Sequence, residues 1–232
     1  LLEKPYNQTV KIIPGSIAAF PGLATNLWHH LSMSSPTPVQ DQLADYLQTG
    51  PDRRSIMAYR GCGKSFLTAG YELWRLRRDP DCKILVISAA QDRADAFSVF
   101  CHDLLRNWFM VKDLFPSDTQ RFSKVAFDVY GAKPDQSPSV RSSGIFGQIT
   151  GSRAYLIVAE DTETPQSCET QLIRDKLREA IKEFDSVIKP GGEIVFLGTP
   201  HTQDSIYAKL ELAGYTCRIW PALYPTAKKR QN

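Results

Sequence analysis

A turn containing two glycines, placed between an apolar stretch and a Lys-Ser pair, is the part of the sequence best suited to chemistry. Segment 55–66 reads SIMAYRGCGKSF. The backbone N–H groups of such a turn can surround the α- and β-phosphates of a nucleotide, Lys64 can reach the β- and γ-phosphates, and the Ser65 hydroxyl can bind Mg²⁺. The segment therefore predicts an NTPase. The candidate nucleotide-binding residues in it are Arg60, Gly61, Cys62, Gly63, Lys64, Ser65 and Phe66.

The turn departs from the usual G-x-x-x-x-G-K-[ST] pattern at one position, because Ala58 replaces the first glycine. Alanine is tolerated there only if the end of the strand keeps a negative φ. The residues from Phe66 to Arg77 then show the broad apolar stripe of a helix packed on a sheet. Strand, turn and helix thus follow in the order that phosphate binding requires.

Two adjacent acids follow a second apolar run, since segment 155–161 reads YLIVAED. Side chains at the carboxyl end of a strand can point into the crevice where phosphates bind. We assign Glu160 to Mg²⁺, together with Ser65, and Asp161 to activation of the attacking water. The alternative assignment places Asp161 on Mg²⁺ and Glu163 on the water.

Three polar segments have both a functional and a structural interpretation. Gln40 can read the N6/N7 edge of adenine, or it can belong to the start of a helix after Pro38. Thr199 can sense the γ-phosphate and link hydrolysis to movement, or it can belong to a Gly-Pro turn. Segment 88–93 can bind a DNA phosphate at a helix N-terminus, or it can cap that helix.

Arginines are candidates because the transition state of phosphoryl transfer spreads negative charge over the γ-phosphoryl oxygens. Arg60 lies inside the turn, where it can act on the nucleotide of its own subunit. Arg153 and Arg141 flank a segment rich in Gly, Ser and Pro, from which they can be offered to a neighbouring subunit.

Strands and helices alternate along most of the chain. Apolar runs at 56–59, 84–87, 125–129, 155–159, 194–197 and 217–220 predict strands, and the intervening patterns predict helices at 64–78, 93–109, 170–188 and 205–213. A further short helix is predicted near 17–30. This alternation indicates an α/β fold, with a mainly parallel central sheet covered by helices on both faces.

Three regions depart from the alternation and suggest how the chain is divided. Residues 1–35 are interrupted by prolines and predict an N-terminal strap. The ATPase domain is predicted over 36–220, and its segment 131–151 is predicted to be a loop with a short hairpin or a mobile element. Residues 221–232 carry two prolines and a basic run, which is typical of the start of a linker.

The bulk composition is that of a globular protein without a disulfide framework. The 232 residues are 42% hydrophobic, and the formal net charge of +3 permits nucleic-acid binding without arguing for it. The five cysteines are widely spaced and contain no C-x-x-C pair, so neither disulfides nor a zinc site is indicated. With no apolar run of transmembrane length, we expect a soluble, intracellular protein with no membrane partner.

Taken together, the motifs at 36–40, 58–65, 88–97, 151–163 and 198–202 resemble the ATPase domain of the large terminase subunit of tailed double-stranded DNA phages, especially the podovirus-like group. The resemblance extends over residues 30–225. Gly151-Ser152-Arg153-Ala154 before the acidic strand and Leu197-Gly198-Thr199-Pro200 after it make the match more specific than the phosphate loop alone.

The resemblance implies a P-loop NTPase of the additional-strand type that uses ATP and Mg²⁺. It implies a ring, typically of five copies, that moves double-stranded DNA into the procapsid within the host cytoplasm and works with the portal protein and the small terminase subunit. It also implies that Gln40 reads adenine, that Thr199 belongs to a coupling motif, and that an arginine acts in trans, with Arg153 preferred over Arg141. Because the family's nuclease domain would begin after Asn232, we expect no nuclease activity here and weak ATPase activity in an isolated monomer.

Two alternatives remain open from the residues. Segment 36–40 also resembles the adenine motif of helicase-like translocases. A module that binds ATP without hydrolysing it, to order a subunit interface, is the other alternative, since Glu160 stands where the family more usually has Asp.

Overall fold

The computed structural model describes residues 18–165, 170–200 and 205–222. Within these residues the strands are β1 (Arg53–Ala58), β2 (Ile84–Ser88), β3 (Ala126–Phe127), β4 (Val140–Gly144), β5 (Ala154–Glu160), β6 (Ile188–Gly198) and β7 (Thr216–Trp220). The helices are α1 (Phe20–His30), α2 (Pro38–Thr49), α3 (Lys64–Arg78), α4 (Gln91–Asn107), α5 (Gln171–Lys182), α6 (Phe184–Val187) and α7 (Ile206–Leu210). A 3₁₀ turn, Lys112–Leu114, follows α4.

The described strands form one sheet in the order β3-β4-β2-β5-β6-β1-β7. All neighbouring strands are parallel except β3, which pairs antiparallel with β4. Strand β6 is inserted between β1, which leads into the phosphate loop, and β5, which ends in the acidic pair. The sheet therefore has the additional strand that the sequence resemblance predicted.

Helices cover both faces of the sheet, and the alternation of side chains along each strand explains why. On β1, Ile56 and Ala58 pack into the core formed with α1 to α4, whereas Met57 packs into the core formed with α5 to α7. Successive residues of a strand point to opposite faces, so a strand buried on both faces is apolar throughout. The predicted three-layer α/β fold is confirmed.

The region 131–151 contains an element that the sequence did not reveal. Strand β4 pairs in parallel with β2, from Ile84 opposite Val140 to Ser88 opposite Gly144. Its sequence, VRSSG, has no apolar run, although four of its five residues are buried. Small serine side chains fill the limited space on both faces, so burial here is not accompanied by hydrophobic patterning.

The predicted helix near 17–30 is present as α1, and it belongs to the core. Phe20, Leu23 and Leu27 are fully buried, and Leu27 lies against Gly70 of α3, where an added Cβ would come within 2.9 Å of it. Residues 1–17 of the predicted strap and residues 223–232 of the predicted linker lie outside the described part of the chain. The proposed division at residues 35 and 220 stays a prediction.

Candidate functional site

The phosphate loop connects the end of β1 to the start of α3. Gly61 and Gly63 have φ values of 82° and 84°, which is the left-handed region that favours glycine. A Cβ on Gly63 would also approach a ring carbon of the buried Trp28 to 3.0 Å, so packing and backbone geometry both require glycine there. Ala58 ends β1 in an extended conformation, which is why alanine is tolerated at that position.

Lys64 is held at the start of α3 by three acceptors. Its buried ammonium donates to the carbonyl oxygens of Ala58 at 2.9 Å and Tyr59 at 3.0 Å, and to Thr199 Oγ1 at 3.3 Å. Thr199 Oγ1 in turn donates to the Ala58 carbonyl at 2.8 Å. The lysine is thus aligned by the ends of two neighbouring strands, β1 and β6, and by the loop itself.

The acidic pair lies beside this lysine, at the end of β5. Glu160 is opposite Leu197 of β6 and accepts a hydrogen bond from the Ser65 side chain. Asp161 has a φ of 42°, which is unusual for a residue other than glycine, and its N–H donates to the Leu197 carbonyl at 2.8 Å. The chain therefore turns sharply after Glu160, and the two carboxylates take different environments.

The surroundings of Glu160 suit a metal ligand, because one of its two carboxylate oxygens is not used in a hydrogen bond within the described residues. Burial raises its pKa to about 7, against the hydrogen bond from Ser65, which lowers it. Its Oε1 has no hydrogen-bond partner among the described residues. A hydroxyl and one carboxylate fit Mg²⁺, which takes few protein ligands and shares its coordination with phosphates and water. The described residues contain no cluster of three or more metal-binding side chains, so a cage made entirely of protein is not present there.

The raised pKa of Glu160 predicts a pH-dependent stability in metal-free protein. The folded state retains the proton that the unfolded state releases near the ordinary value of 4.5, so the free energy of unfolding falls as the pH rises from 4.5 through about 7. Glu160→Gln cannot lose this proton, so its free energy of unfolding does not fall in this way. The difference in free energy of unfolding between Glu160→Gln and wild type should therefore shift in favour of the variant by about 3 kcal/mol from pH 4.5 to pH 8. Urea unfolding with EDTA at several pH values measures the difference, and parallel curves for the two proteins would contradict it.

Glu163, the alternative candidate for the attacking water, has a structural role. Its buried carboxylate accepts hydrogen bonds at Oε2 from Ser205 Oγ at 3.0 Å and from the Ile206 backbone N–H at 2.6 Å. It thereby joins the acidic loop to the start of α7. Asp161 borders the same cavity, and the choice between the two acids for the attacking water stays a prediction.

Gln40 contacts the phosphate loop from the start of α2. Its Nε2 donates to the Cys62 carbonyl at 3.1 Å, and its Oε1 accepts from the Thr37 backbone N–H at 2.8 Å, which completes a capping box. Both ends of the amide are therefore engaged within the protein. An exchange of these partners is needed before Gln40 can read adenine, and that role stays a prediction.

A cavity of about 670 Å³ opens over the phosphate loop. Arg60, Lys64 and Ser65 of the phosphate loop line it, together with Asp161 and Glu163 of the acidic segment. A smaller cavity of about 300 Å³ continues past Ser65 and Phe66 toward the aromatic side chains of Phe97 and Phe100. The structure thus brings together the predicted loop, acid and hydroxyl residues around one space large enough for a nucleotide.

Arg93 ends the segment 88–93 that sequence reasoning assigned to a DNA phosphate or to a helix cap, and it borders both cavities. It lies in the first turn of α4 and close enough to Glu160 to lower the pKa of that carboxyl. Arg93 follows shortly after β2, which pairs with β5 so that Ser88 at its end lies opposite Glu160. The pairing of these two strands therefore brings Arg93 close to Glu160. A charged residue just after a strand next to the acidic strand is the signal that could have identified it.

Arg141 and Arg153 lie at the amino ends of the parallel strands, whereas the phosphate loop lies at their carboxyl ends. Arg141 is the second residue of β4, and Arg153 directly precedes β5. The seven residues of β5 separate Arg153 from the acidic end of that strand, a distance of about 20 Å. The structure therefore does not bring either arginine to the nucleotide cavity of its own subunit.

The fold and the site define the class of this protein, a P-loop NTPase with a three-layer α/β architecture, and one solved structure supports the fold. Yeast (S. cerevisiae) dbp5 bound to gle1 and ip6 superimposes with a TM-score of 0.54 at 12% identity, covering 88% of this chain and 51% of that one. The ATPase domain of the Thermus phage P74-26 large terminase gives a TM-score of 0.43 at 14% identity, covering 75% of this chain and 68% of that one. No protein-family profile matches the chain.

Sequence comparison identifies a relative of the chain. The chain is 44% identical over 207 residues to the large terminase subunit of Enterobacteria phage T3. It is therefore similar to a phage large terminase subunit over most of its own length, which confirms the resemblance noted in its motifs. The match covers 88% of this chain, which spans 35% of the length of that relative. No helix among the described residues is long and apolar enough to cross a membrane.

Proposed function

We propose that this chain hydrolyses ATP to drive double-stranded viral DNA into a procapsid, as the ATPase portion of a large terminase subunit. The convergence of Lys64, Glu160 and Thr199 at the carboxyl ends of adjacent strands supports the proposal most directly. The buried carboxylate bonded to the Ser65 hydroxyl supports Mg²⁺ binding beside the phosphates, and Asp161 at the cavity supplies a group that can act on the attacking water.

Each residue has a role in this proposal. Lys64 and Arg60 hold the phosphates, and Ser65 and Glu160 hold Mg²⁺, which neutralises charge on the phosphate oxygens when bound. Asp161 orients the attacking water and accepts its proton. Gly61, Cys62, Gly63 and Phe66 shape the phosphate and ribose side of the site, and Gln40 selects adenine.

Thr199 is proposed to report the state of the nucleotide. It shares the Ala58 carbonyl with Lys64, so a lysine that moves toward phosphate changes the acceptors available to the Thr199 hydroxyl. Because Thr199 directly follows β6, such a change is transmitted to the end of a central strand. The contact between Thr199 and Lys64 supports the assignment of Thr199 to a coupling motif.

The arginines divide into two groups by position. Arg60 borders the nucleotide cavity and is proposed to act within its own subunit. Arg153, and secondarily Arg141, can stabilise hydrolysis only at a neighbour's nucleotide, because each lies at the far end of its own sheet. This role requires a ring of copies, proposed to be a pentamer on the portal protein that receives DNA with the help of the small terminase subunit.

The ATPase rate per subunit, measured against protein concentration, tests both parts of the proposal. We expect Mg²⁺-dependent turnover that prefers ATP to GTP and rises with concentration as subunits associate. Asp161→Asn keeps the backbone conformation that Asp and Asn both tolerate, and should lower turnover about a thousandfold through loss of the catalytic base.

Mixing two inactive variants identifies any residue that acts in trans. Recovery of turnover when Asp161→Asn protein is added to Arg153→Ala protein would support a trans arginine, and a rate independent of concentration would argue against one. Absence of turnover at every concentration, with nucleotide bound, would favour the alternative of a non-hydrolysing assembly module. DNA-stimulated strand separation would favour the helicase-like alternative.

A further inference from the structure

A second cavity, of about 450 Å³, lies at the amino ends of the parallel strands, opposite the end that carries the phosphate loop. We call it the basic cleft and define it by Arg141, Arg153 and Lys189, with the loop 135–138 forming its outer wall. The three cations come from three places in the sheet, namely β4, the residue before β5, and the start of β6. They come together because β4, β5 and β6 run parallel in the sheet and therefore begin at the same end of it.

The two arginines of the basic cleft are positioned by neutral groups. Arg141 donates to Ser152 Oγ at 2.7 Å and to the Gln148 carbonyl at 3.0 Å. Arg153 donates to the Ser152 carbonyl at 2.9 Å. Within the described ranges, no carboxylate forms an ion pair with either arginine or with Lys189. Their charges are therefore available to a ligand.

The acid in the wall of the cleft does not cancel these charges. Asp135 is exposed, and its Oδ1 accepts a hydrogen bond from the Ser137 backbone N–H at 3.0 Å, so it shapes its own loop. Three cations face one carboxylate, which leaves a positive surface in a protein whose formal net charge is only +3. Such a concentration of one sign raises the local density of anions.

An exposed aromatic ring adjoins the cations. The Lys189 ammonium lies 4.5 Å from the centre of the Tyr155 ring, and the ring is 38% exposed. A cation over an aromatic face is held in place without losing its charge. Lys189 is thus kept at the mouth of the cleft.

We propose that the basic cleft binds the phosphate backbone of double-stranded DNA. Arg153 is exposed, and Arg141 and Lys189 are partly exposed, so all three cations are spread over an open cleft. Such an arrangement suits a chain of phosphates, because each phosphate contact is weak but every contact releases a counterion and so adds to the affinity. The choice of DNA among polyanions rests on the proposed function. The contacts carry no base-reading geometry, so binding is independent of sequence.

The cleft and the nucleotide site occupy opposite ends of the same strands. Strand β5 runs from the residue after Arg153 to Glu160, and β6 carries Lys189 near its start and Thr199 just after its end. Within one subunit the two sites share no residue. DNA binding measured without nucleotide is therefore read apart from hydrolysis, including any hydrolysis that Arg153 assists in a neighbouring subunit.

The test is fluorescence anisotropy of a labelled duplex of about 30 base pairs, without nucleotide, at several salt concentrations. Arg153→Glu/Lys189→Glu should weaken binding at least about tenfold at low salt and lower the slope of log K against log salt by about 2, one for each phosphate that the variant no longer neutralises. Arg153→Gln/Lys189→Gln should show a smaller loss in the same direction. The matched control is Lys112→Glu/Lys176→Glu, which changes the charge equally at exposed sites outside the cleft and should bind DNA within about threefold of wild type.

Equal losses in the cleft and control variants would overturn the proposal, because they would show that only total charge matters. Absence of salt-dependent binding by the wild type would overturn it as well. Wild-type DNA affinity in the cleft variants, combined with recovery of ATPase activity on mixing with Asp161→Asn, would assign Arg153 to a neighbour's nucleotide instead. Failure of ATP hydrolysis alone would leave the anisotropy result intact, so failure of the proposed function is recognised separately.

Discussion

Replacing Lys64 with alanine should lower ATP turnover at least about a hundredfold, which corresponds to about 3 kcal/mol of transition-state stabilisation. The lysine ammonium is buried and held by the Ala58 and Tyr59 carbonyl oxygens and by Thr199 Oγ1, so it is directed toward the phosphate loop before nucleotide binds. A preorganised charge contributes more to catalysis than a solvated one, because little reorganisation accompanies the reaction. Steady-state phosphate release measures the loss.

Two further variants separate the charge of Lys64 from its packing. Lys64→Met keeps most of the apolar stem and should lose activity as severely as Lys64→Ala, whereas Lys112→Ala, at an exposed lysine on the 3₁₀ turn, should retain activity. Thermal unfolding of each protein establishes that the fold is kept. Turnover within about threefold of wild type in Lys64→Met would show that the ammonium does not act on phosphate.

Replacing Glu193 with alanine should lower the free energy of unfolding by about 3 kcal/mol. Glu193 pairs with Arg54 at 2.8 Å and also with Arg75, and Arg54 is fully buried among the Leu47 and Pro51 carbonyl oxygens and the Tyr71 hydroxyl. Without the carboxylate, the Arg54 charge stays buried with no counterion. Urea unfolding followed by tryptophan fluorescence measures the change.

The pH dependence of this loss has a definite sign. Burial raises the pKa of Glu193, but the charges of Arg54 and Arg75 outweigh it, so the pKa lies below the ordinary value of 4.5. The stabilisation is therefore complete above pH 4.5 and is lost as the pH falls through the folded-state value. The difference between wild type and Glu193→Ala should shrink in acid.

An exposed ion pair provides the control for Glu193. Glu179 and Lys182 pair at 2.7 Å on the surface of α5, with about 70% of each side chain exposed. Glu179→Ala should cost less than about 1 kcal/mol, because surface pairs are weak. A loss as large as that of Glu193→Ala would show that burial of Arg54 is not the cause. Arg54→Met/Glu193→Leu, which removes both charges, should recover most of the stability.

The phosphate loop and the acidic strand were predictable because their signals are local. Gly61, Gly63 and the Lys64-Ser65 pair are adjacent in sequence, and a left-handed backbone at a glycine depends on the residue itself. The apolar runs of β1, β2, β5 and β6 were equally clear, because parallel strands buried on both faces require them.

Other elements depended on contacts that sequence patterns do not show. Strand β4 is buried through the small volume of Ser142 and Ser143, so it lacks the apolar alternation of a recognisable strand. Gln40 has two interpretations in the sequence, and the fold shows that its amide joins the capping box of α2 to the Cys62 carbonyl. Glu163 is the alternative candidate for the attacking water in the sequence, and the fold shows that its carboxylate is bonded to the start of α7.

The sequence alone determined the class of fold, the resemblance to large terminase subunits and the residues of the phosphate loop, since these depend on short segments and their order. Only the tertiary structure decided which distant residues meet. It placed Thr199 against Lys64, and Arg93 beside Glu160. It also separated Arg153 from the nucleotide cavity by the length of β5. The physical reason is that sheet order and register, which follow from long-range packing, set which strand ends are adjacent.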